Sequence, residues 1–463
     1  MIAPMICSLC YGEHDWPAFV ASTGITVISG FLIQFFTPSE KNKLLLRETL
    51  AIVTFSWVLS AAFGALPYIL AGTFSNYLDA YFEAMSGFTA TGATVITAIE
   101  SQPHGILLWR GLTQWLTGMG IITLFVSLFP MMGIGAVQLV KAEMPSLVDE
   151  KILPRVRDIA KSVWTIYIGF SVLEVALLCL TGLPFYDALT VTFGTMATGG
   201  FSAKQLSIEA YQSWQAEFIV VLFMIIAAIN FRLYFSLFWK RNFRSLLVDS
   251  EFHLYLGLLF GASLFIALDL IINSGLSFTD ACRYGSFNAI SIMTTTGFSN
   301  TDFNVWPVFS KAALVVLMLI GGSTGSTAGA IKVSRVMVLV KSVRRQILQS
   351  INPRAVIRLW AGGSPIQEER ISEALSLSSL YLIILVVAFL IMSAVGLDQI
   401  SALSSVAACM GTVGPGLGAV GPIENYLWIH PVGKITLIMC MVLGRLELFT
   451  ILALFVPSYW KWR

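Results

Sequence analysis

Apolar stretches long enough to cross a bilayer recur along this whole chain of 463 residues. The clearest cover residues 50–70, 106–131, 163–180, 218–238, 254–272, 377–395 and 435–456; 19–36 adds another, and 312–320 runs on into one more. Only 12% of the residues are charged and the mean hydropathy is +0.80. A soluble fold of this size could not hide so much apolar surface. The sequence therefore predicts an all-α, polytopic membrane protein.

The basic residues sort by position. Lys41, Lys43 and Arg47 form one cluster, Lys141 to Lys161 a second, Lys240 to Arg244 a third and Lys332 to Arg370 a fourth, with Lys461 and Arg463 at the end. These are alternate loops, so the positive-inside rule puts them in the cytoplasm. Their flanking spans argue against nucleic-acid binding.

Between the spans, four short tetrads recur: Thr89-Ala90-Thr91-Gly92, Met196-Ala197-Thr198-Gly199, Thr294-Thr295-Thr296-Gly297 and Gly411-Thr412-Val413-Gly414. Their glycines lie 107, 98 and 117 residues apart. Each follows a span that ends near a glycine, then an Asp (Asp79, Asp187, Asp280, Asp398) and about ten small or apolar residues, too few to cross. Asp suits a helix N-cap. The repeating unit is thus helix, half-helix, irregular loop, helix. A lone tetrad of small residues is also what close helix packing selects. Four in one context argue for a shared aqueous path, because irregular backbone at membrane depth survives only along a cavity or inside protein. A Thr-Val-Gly segment presents stacked carbonyls to a dehydrated potassium ion, and each half-helix points a partially negative end inward. On the outer side, these loops form a candidate cation filter.

As a set, Ser86-Gly87-Phe88-Thr89-Ala90-Thr91-Gly92, Ala197-Thr198-Gly199-Gly200-Phe201, Thr294-Thr295-Thr296-Gly297-Phe298 and Gly411-Thr412-Val413-Gly414-Pro415 resemble the filters of the Trk/Ktr/HKT superfamily of potassium transporters, most closely its bacterial TrkH/TrkG branch. The runs from Gly321 to Lys332 and from Gly444 to Glu447 extend the match. The resemblance implies four membrane–pore-loop–membrane repeats around a pseudo-fourfold pore, with extra helices in front. The corresponding segments are 1–47 (N-terminal), 48–140, 141–250, 251–371 (with a gate loop) and 372–463. Residues 1–12 cannot span, so the chain either begins with a half-helix or is preceded by further residues. The expected ion ligands are the carbonyls of Ala90, Thr91, Ala197, Thr198, Thr295, Thr296, Thr412 and Val413, with Gly92, Gly199, Gly297 and Gly414 making the turns. In plant relatives a serine at the first of these glycines accompanies sodium transport, so Gly92 favours potassium. The resemblance also implies a homodimer in the bacterial inner membrane, in contact with lipid, paired with a cytosolic nucleotide-binding subunit of TrkA type. Nucleotide is expected only on that partner, and no covalent cofactor is expected.

Two features below the filter complete the reading. Residues 321–329 are so rich in Gly, Ser and Thr that they make a poor helix. Their spacing before Lys332 does not fit a phosphate-binding loop. By resemblance they are the gate (Gly321, Gly322, Ser323, Thr324, Gly325); a kink for close helix packing is the plainer alternative. Arg445 lies within an apolar stretch, where a charge usually faces a cavity or a partner. It is expected either to point into the pore as a barrier to cations or to pair with Glu447 or Glu174. Glu174, Asp269 and Arg232 are expected to pair between helices or to sit at helix ends, or else to relay protons.

No metal-ligand cluster or nucleophile–base pattern points to an enzyme. The alternative class is a proton- or sodium-coupled secondary transporter for another solute, which usually shows two inverted halves, whereas these repeats run in one direction. Symport and passive permeation of potassium fit these residues alike.

Overall fold

Four times along the chain, a long apolar helix is followed by a short helix and then by a second long or broken one. The structure, a computed structural model, describes residues 1–37, 46–118, 120, 156–239, 241–362, 364–446, 448–457 and 459. Helices Ile2–Tyr11 and Trp16–Phe36 precede the repeats. Ile2–Tyr11 is thus a helix too short to span, and Trp16–Phe36 is long enough to do so. The first long helices are Leu50–Leu70, Ala160–Leu180, Ser250–Ser274 and Glu368–Ala394, all apolar and long enough to cross a bilayer. Among the described residues, the only strands are a two-residue ladder pairing Trp360–Ala361 with Ser364–Pro365.

The short helices are Tyr77–Phe88, Phe185–Met196, Phe278–Met293 and Gln399–Met410. Asn76, Ser277 and Asp398 cap three of them by accepting a hydrogen bond from a first-turn amide. The sequence assigns an aspartate to every cap. Instead, Asp79, Asp187 and Asp280 sit in the first turn, with Asn76, Pro184 and Ser277 at the cap. The electrostatic logic is unchanged, since a carboxylate in the first turn still faces the positive helix end.

The second helices break, in repeats 2 and 4 where the sequence reads continuous spans and in repeat 3 at the run 321–329 that it reads as a poor helix. In repeat 2, Trp214–Ala227 and Phe231–Phe238 meet at 91°. In repeat 3, Val308–Ile320 stops at Gly321 and Val333–Ile351 resumes after the loop. In repeat 4, Pro431–Arg445 ends before Leu448–Phe455. In repeat 1, His104–Gly118 is seen, and the rest of stretch 106–131 lies outside the described residues.

Each break exposes backbone polar groups, which cost several kcal/mol apiece in a membrane if left unpaired. Repeats 2 and 3 satisfy one another. The Ser323 amide donates to the Ala228 carbonyl (3.0 Å), and the Phe231 amide donates to the Gly325 carbonyl (3.0 Å). The Thr327 hydroxyl donates to the Ala227 carbonyl (3.0 Å). The two interruptions form one packed feature. Buried apolar side chains gather in two large clusters, one joining repeats 1 and 4 and the other mostly repeats 2 and 3.

Candidate functional site

Each short helix ends in the same backbone sequence. Thr89, Ala197, Thr294 and Gly411 close the helices with αR geometry. The next residue has positive φ: Ala90 at 53°, Thr198 at 51°, Thr295 at 59° and Thr412 at 54°. Two residues on, a glycine is positive again: Gly92 at 86°, Gly200 at 72°, Gly297 at 80° and Gly414 at 98°. Left-handed backbone at non-glycine residues is uncommon, and it marks positions that the surrounding fold enforces. The residue between donates its amide to a carbonyl five back in the short helix: Thr91 to Ser86 (2.8 Å), Gly199 to Gly194 (2.8 Å), Thr296 to Ser291 (2.9 Å) and Val413 to Ala408 (2.8 Å).

This pattern shifts repeat 2 by one residue. The sequence places its turn at Gly199, but Gly199 has no positive φ and Gly200 does. The structural equivalents are Ala197-Thr198-Gly199-Gly200, with Ala197 as the helix cap.

The four loops close a ring in chain order. A Cβ on Gly92 would collide with the Gly199 carbonyl, one on Gly200 with that of Thr296, one on Gly297 with that of Val413, and one on Gly414 with that of Thr91. Each glycine lets the neighbouring repeat's carbonyl approach, which no other residue allows. The same four glycines line a single pocket of about 60 Å³.

Each loop is braced from behind in its own way. In repeat 1, buried Glu83 accepts from the Val95 amide (2.8 Å), the Thr94 hydroxyl (3.0 Å) and Arg110 Nε (2.8 Å). Arg110 is 1% exposed, so this ion pair is fully desolvated. Its Nη1 also donates to the Ser202 carbonyl in repeat 2 (3.0 Å). In repeat 3, the Ser291 hydroxyl donates to the Phe298 carbonyl (2.6 Å), and Asn288 donates to Asn300, which donates to Glu217. In repeat 4, the Tyr426 hydroxyl donates to the Gly414 carbonyl (2.8 Å). Lys434 pairs with Asp79 at 2.5 Å, tying repeat 4 to repeat 1. The sequence reading missed Glu83, Arg110, Gln114 and Tyr426. Arg110 and Gln114, four residues apart in an apolar stretch, were the available signal.

Beneath the ring, the loop after Gly321 (φ 75°) presses on the tetrads. The Gly329 amide donates to the Thr295 hydroxyl (3.0 Å), and a Cβ on Gly329 would collide with Thr412. Gly322 lies against Ala228. The Thr324 amide donates to Glu251 (2.6 Å). On its other side the loop lines a cavity of about 540 Å³ with Gly118 and Arg445. Arg445 donates to the Thr327 carbonyl of the loop (2.8 Å) and to the carbonyls of Thr117 (2.6 Å) and Gly118 (2.9 Å), with its guanidinium 5.8 Å from the Trp57 ring. Its expected pairing with Glu447 lies outside the described residues. Asp269 is an interhelical tie, accepting from the Ser310 amide (3.1 Å) and hydroxyl (2.5 Å). Glu174 is buried beside Thr195, and Arg232 lines the lower cavity.

Comparison with known proteins agrees with this geometry. A family model, TrkH, cation transport protein, matches residues 17–462. The Trk system potassium uptake protein TrkH of Escherichia coli (strain K12) is 35% identical over 466 residues, covering 100% of this chain and 96% of its own length. TrkG of the same strain is 28% identical, covering 100% of this chain and 95% of its own length. The crystal structure of the potassium transporter TrkH from Vibrio parahaemolyticus matches with a TM-score of 0.89 and 32% identity, over 99% of this chain and 95% of that one. A family match over nearly the whole chain, joined to a common fold, makes this protein a member of the TrkH family of cation transport proteins.

Proposed function

We propose that the chain is the membrane subunit of a Trk-type potassium uptake system in the bacterial inner membrane. The observation that carries this is the closed ring of four turns whose glycines share one pocket. Backbone carbonyls of Ala90, Thr91, Thr198, Gly199, Thr295, Thr296, Thr412 and Val413 replace the hydration shell of potassium. The short helices add a partially negative end beneath it. The loop from Gly321 to Gly329, with Ser323 and Thr324, closes the path below, and Arg445 places a positive charge beside it. The basic loops face the cytoplasm. They offer a docking surface to a cytosolic, nucleotide-binding subunit of TrkA type, and two copies assemble as a homodimer among membrane lipids.

Expression in bacteria that lack their own potassium uptake tests this reading. Growth at low potassium is expected with the intact chain and is expected to disappear with Gly297→Ala. Failure of the intact chain to restore growth, even with its cytosolic subunit co-expressed, would count against it.

A further inference from the structure

Gln114 is fully buried on the helix His104–Gly118 and holds the repeat 2 loop with both ends of its amide. Its Nε2 donates to the Gly199 carbonyl at 2.7 Å, and its Oε1 accepts from the Phe201 amide at 3.0 Å. One turn earlier, Arg110 donates to the Ser202 carbonyl. One helix face from repeat 1 therefore holds three residues of the next repeat's loop.

The other repeats do this differently. The positions equivalent to Gly199 are Thr91, Thr296 and Val413. The Thr91 hydroxyl bonds that of Thr89 (2.8 Å), and the Thr296 hydroxyl bonds that of Thr294 (2.9 Å). Each of these threonines bonds within its own loop. Repeat 2 has no side chain at Gly199 and only a methyl group at the preceding cap, Ala197. A Cβ on Gly199 would meet the Gln114 carboxamide within 2.8 Å. Gln114 and a side chain at position 199 are thus mutually exclusive, and they compete for one space.

We infer that Gln114 is a specificity-determining positioning residue, a side chain borrowed from repeat 1 that sets the direction of the Gly199 carbonyl in the ring. The inference rests on the filter reading above. A carbonyl that also accepts from an amide is oriented and partly neutralised by it, so this quarter of the ring holds an ion differently from the other three. Breaking the clamp frees the carbonyl to follow a smaller cation, and the selectivity between potassium and sodium falls.

The test measures potassium and sodium flux in proteoliposomes of the full chain for the wild type, Gln114→Leu, the exchange Gln114→Ala with Gly199→Thr, and Gly297→Ser. Gln114→Leu is expected to lower the potassium-to-sodium ratio roughly fivefold, the factor that one net hydrogen bond sets. The exchange is expected to restore most of the wild-type ratio, because it returns a side chain to the space behind the loop that Gln114 leaves. An unchanged ratio in Gln114→Leu, with the ratio lost in Gly297→Ser, overturns the role of Gln114 and leaves the filter reading standing. If Gln114→Leu does not fold, the exchange decides alone, and a folded exchange variant without selectivity overturns the inference. A wild type and Gly297→Ser that both pass the two ions equally overturn the filter reading and this inference with it.

Discussion

The amide of Gly329 donates a 3.0 Å hydrogen bond to the hydroxyl of Thr295, so the loop beneath the ring is fastened to one of the four turns that form it. Thr295 has left-handed backbone, and its turn is held from above by the Phe298–Ser291 bond. Displacing the loop breaks the Gly329 bond and leaves a buried donor unpaired, which costs about 1–3 kcal/mol.

Thr295→Val removes that acceptor at nearly constant volume. Basal cation flux through the chain without the proposed cytosolic subunit should rise several-fold, and thermal stability should drop by about 1–2 kcal/mol. Thr295→Ser keeps the acceptor and should restore both. Flux and melting curves on the three proteins check this. Equal basal flux in all three would mean that the bond does not restrain the loop.

Arg445 bridges the loop at Thr327 to the helix end at Thr117 and Gly118. Arg445→Ala removes a positive charge beside the proposed path and three hydrogen bonds together. Higher flux is expected in the subunit-free protein. Arg445→Lys, which keeps the charge but not the planar fork of donors, should be intermediate. Single-channel recording or flux in liposomes reads this out, and unchanged flux in Arg445→Ala would remove its assigned barrier role.

Glu83 and Arg110 form a desolvated pair at 2.8 Å. Glu83→Gln strands the guanidinium and should destabilise the protein by about 3–5 kcal/mol. Glu83→Gln combined with Arg110→Met should recover much of that loss, since removing both partners leaves no stranded charge. Denaturation of the detergent-solubilised variants gives the coupling, and strictly additive losses would show that the pair is not a unit.

Asp398 caps the fourth short helix, and its hydrogen bond from Ser401 holds the carboxyl below the ordinary carboxylate range. A depressed native pKa contributes stability that is present above about pH 4 and fades as pH falls through the native value. Asp398→Ala should cost about 1 kcal/mol near neutrality, and the difference from wild type should narrow at lower pH. Asp398→Asn, still an acceptor, should retain most of the cap at every pH. A difference between Asp398→Ala and wild type that stays constant down to the acid limit would contradict the charge contribution.

The repeats were legible because their signals are local. Apolar length, an acidic residue near a helix start, and a glycine at a turn each act within a few residues. The register of repeat 2 was not legible, because Ala197-Thr198-Gly199 matches Ala90-Thr91-Gly92 letter for letter. What separates Gly199 from Gly200 lies far away in the chain: Gly199 faces Gln114, and Gly200 meets the Thr296 carbonyl. The break at Ala228 was hidden for a similar reason. No proline or glycine marks it, and the groups that satisfy it come from Ser323, Gly325 and Thr327. Tyr426 reads as an ordinary loop aromatic until its hydroxyl is seen on Gly414. Long-range partners, rather than local propensity, set these features.

The most direct measurement is uptake of radioactive rubidium into proteoliposomes of this chain, in competition with potassium, sodium and lithium. Uptake should be suppressed by potassium and little affected by sodium, and Gly92→Ser should let sodium compete. Uptake blocked equally by all three ions in the intact protein, or no uptake even with the cytosolic subunit and nucleotide present, would contradict a selective potassium filter built from these four turns.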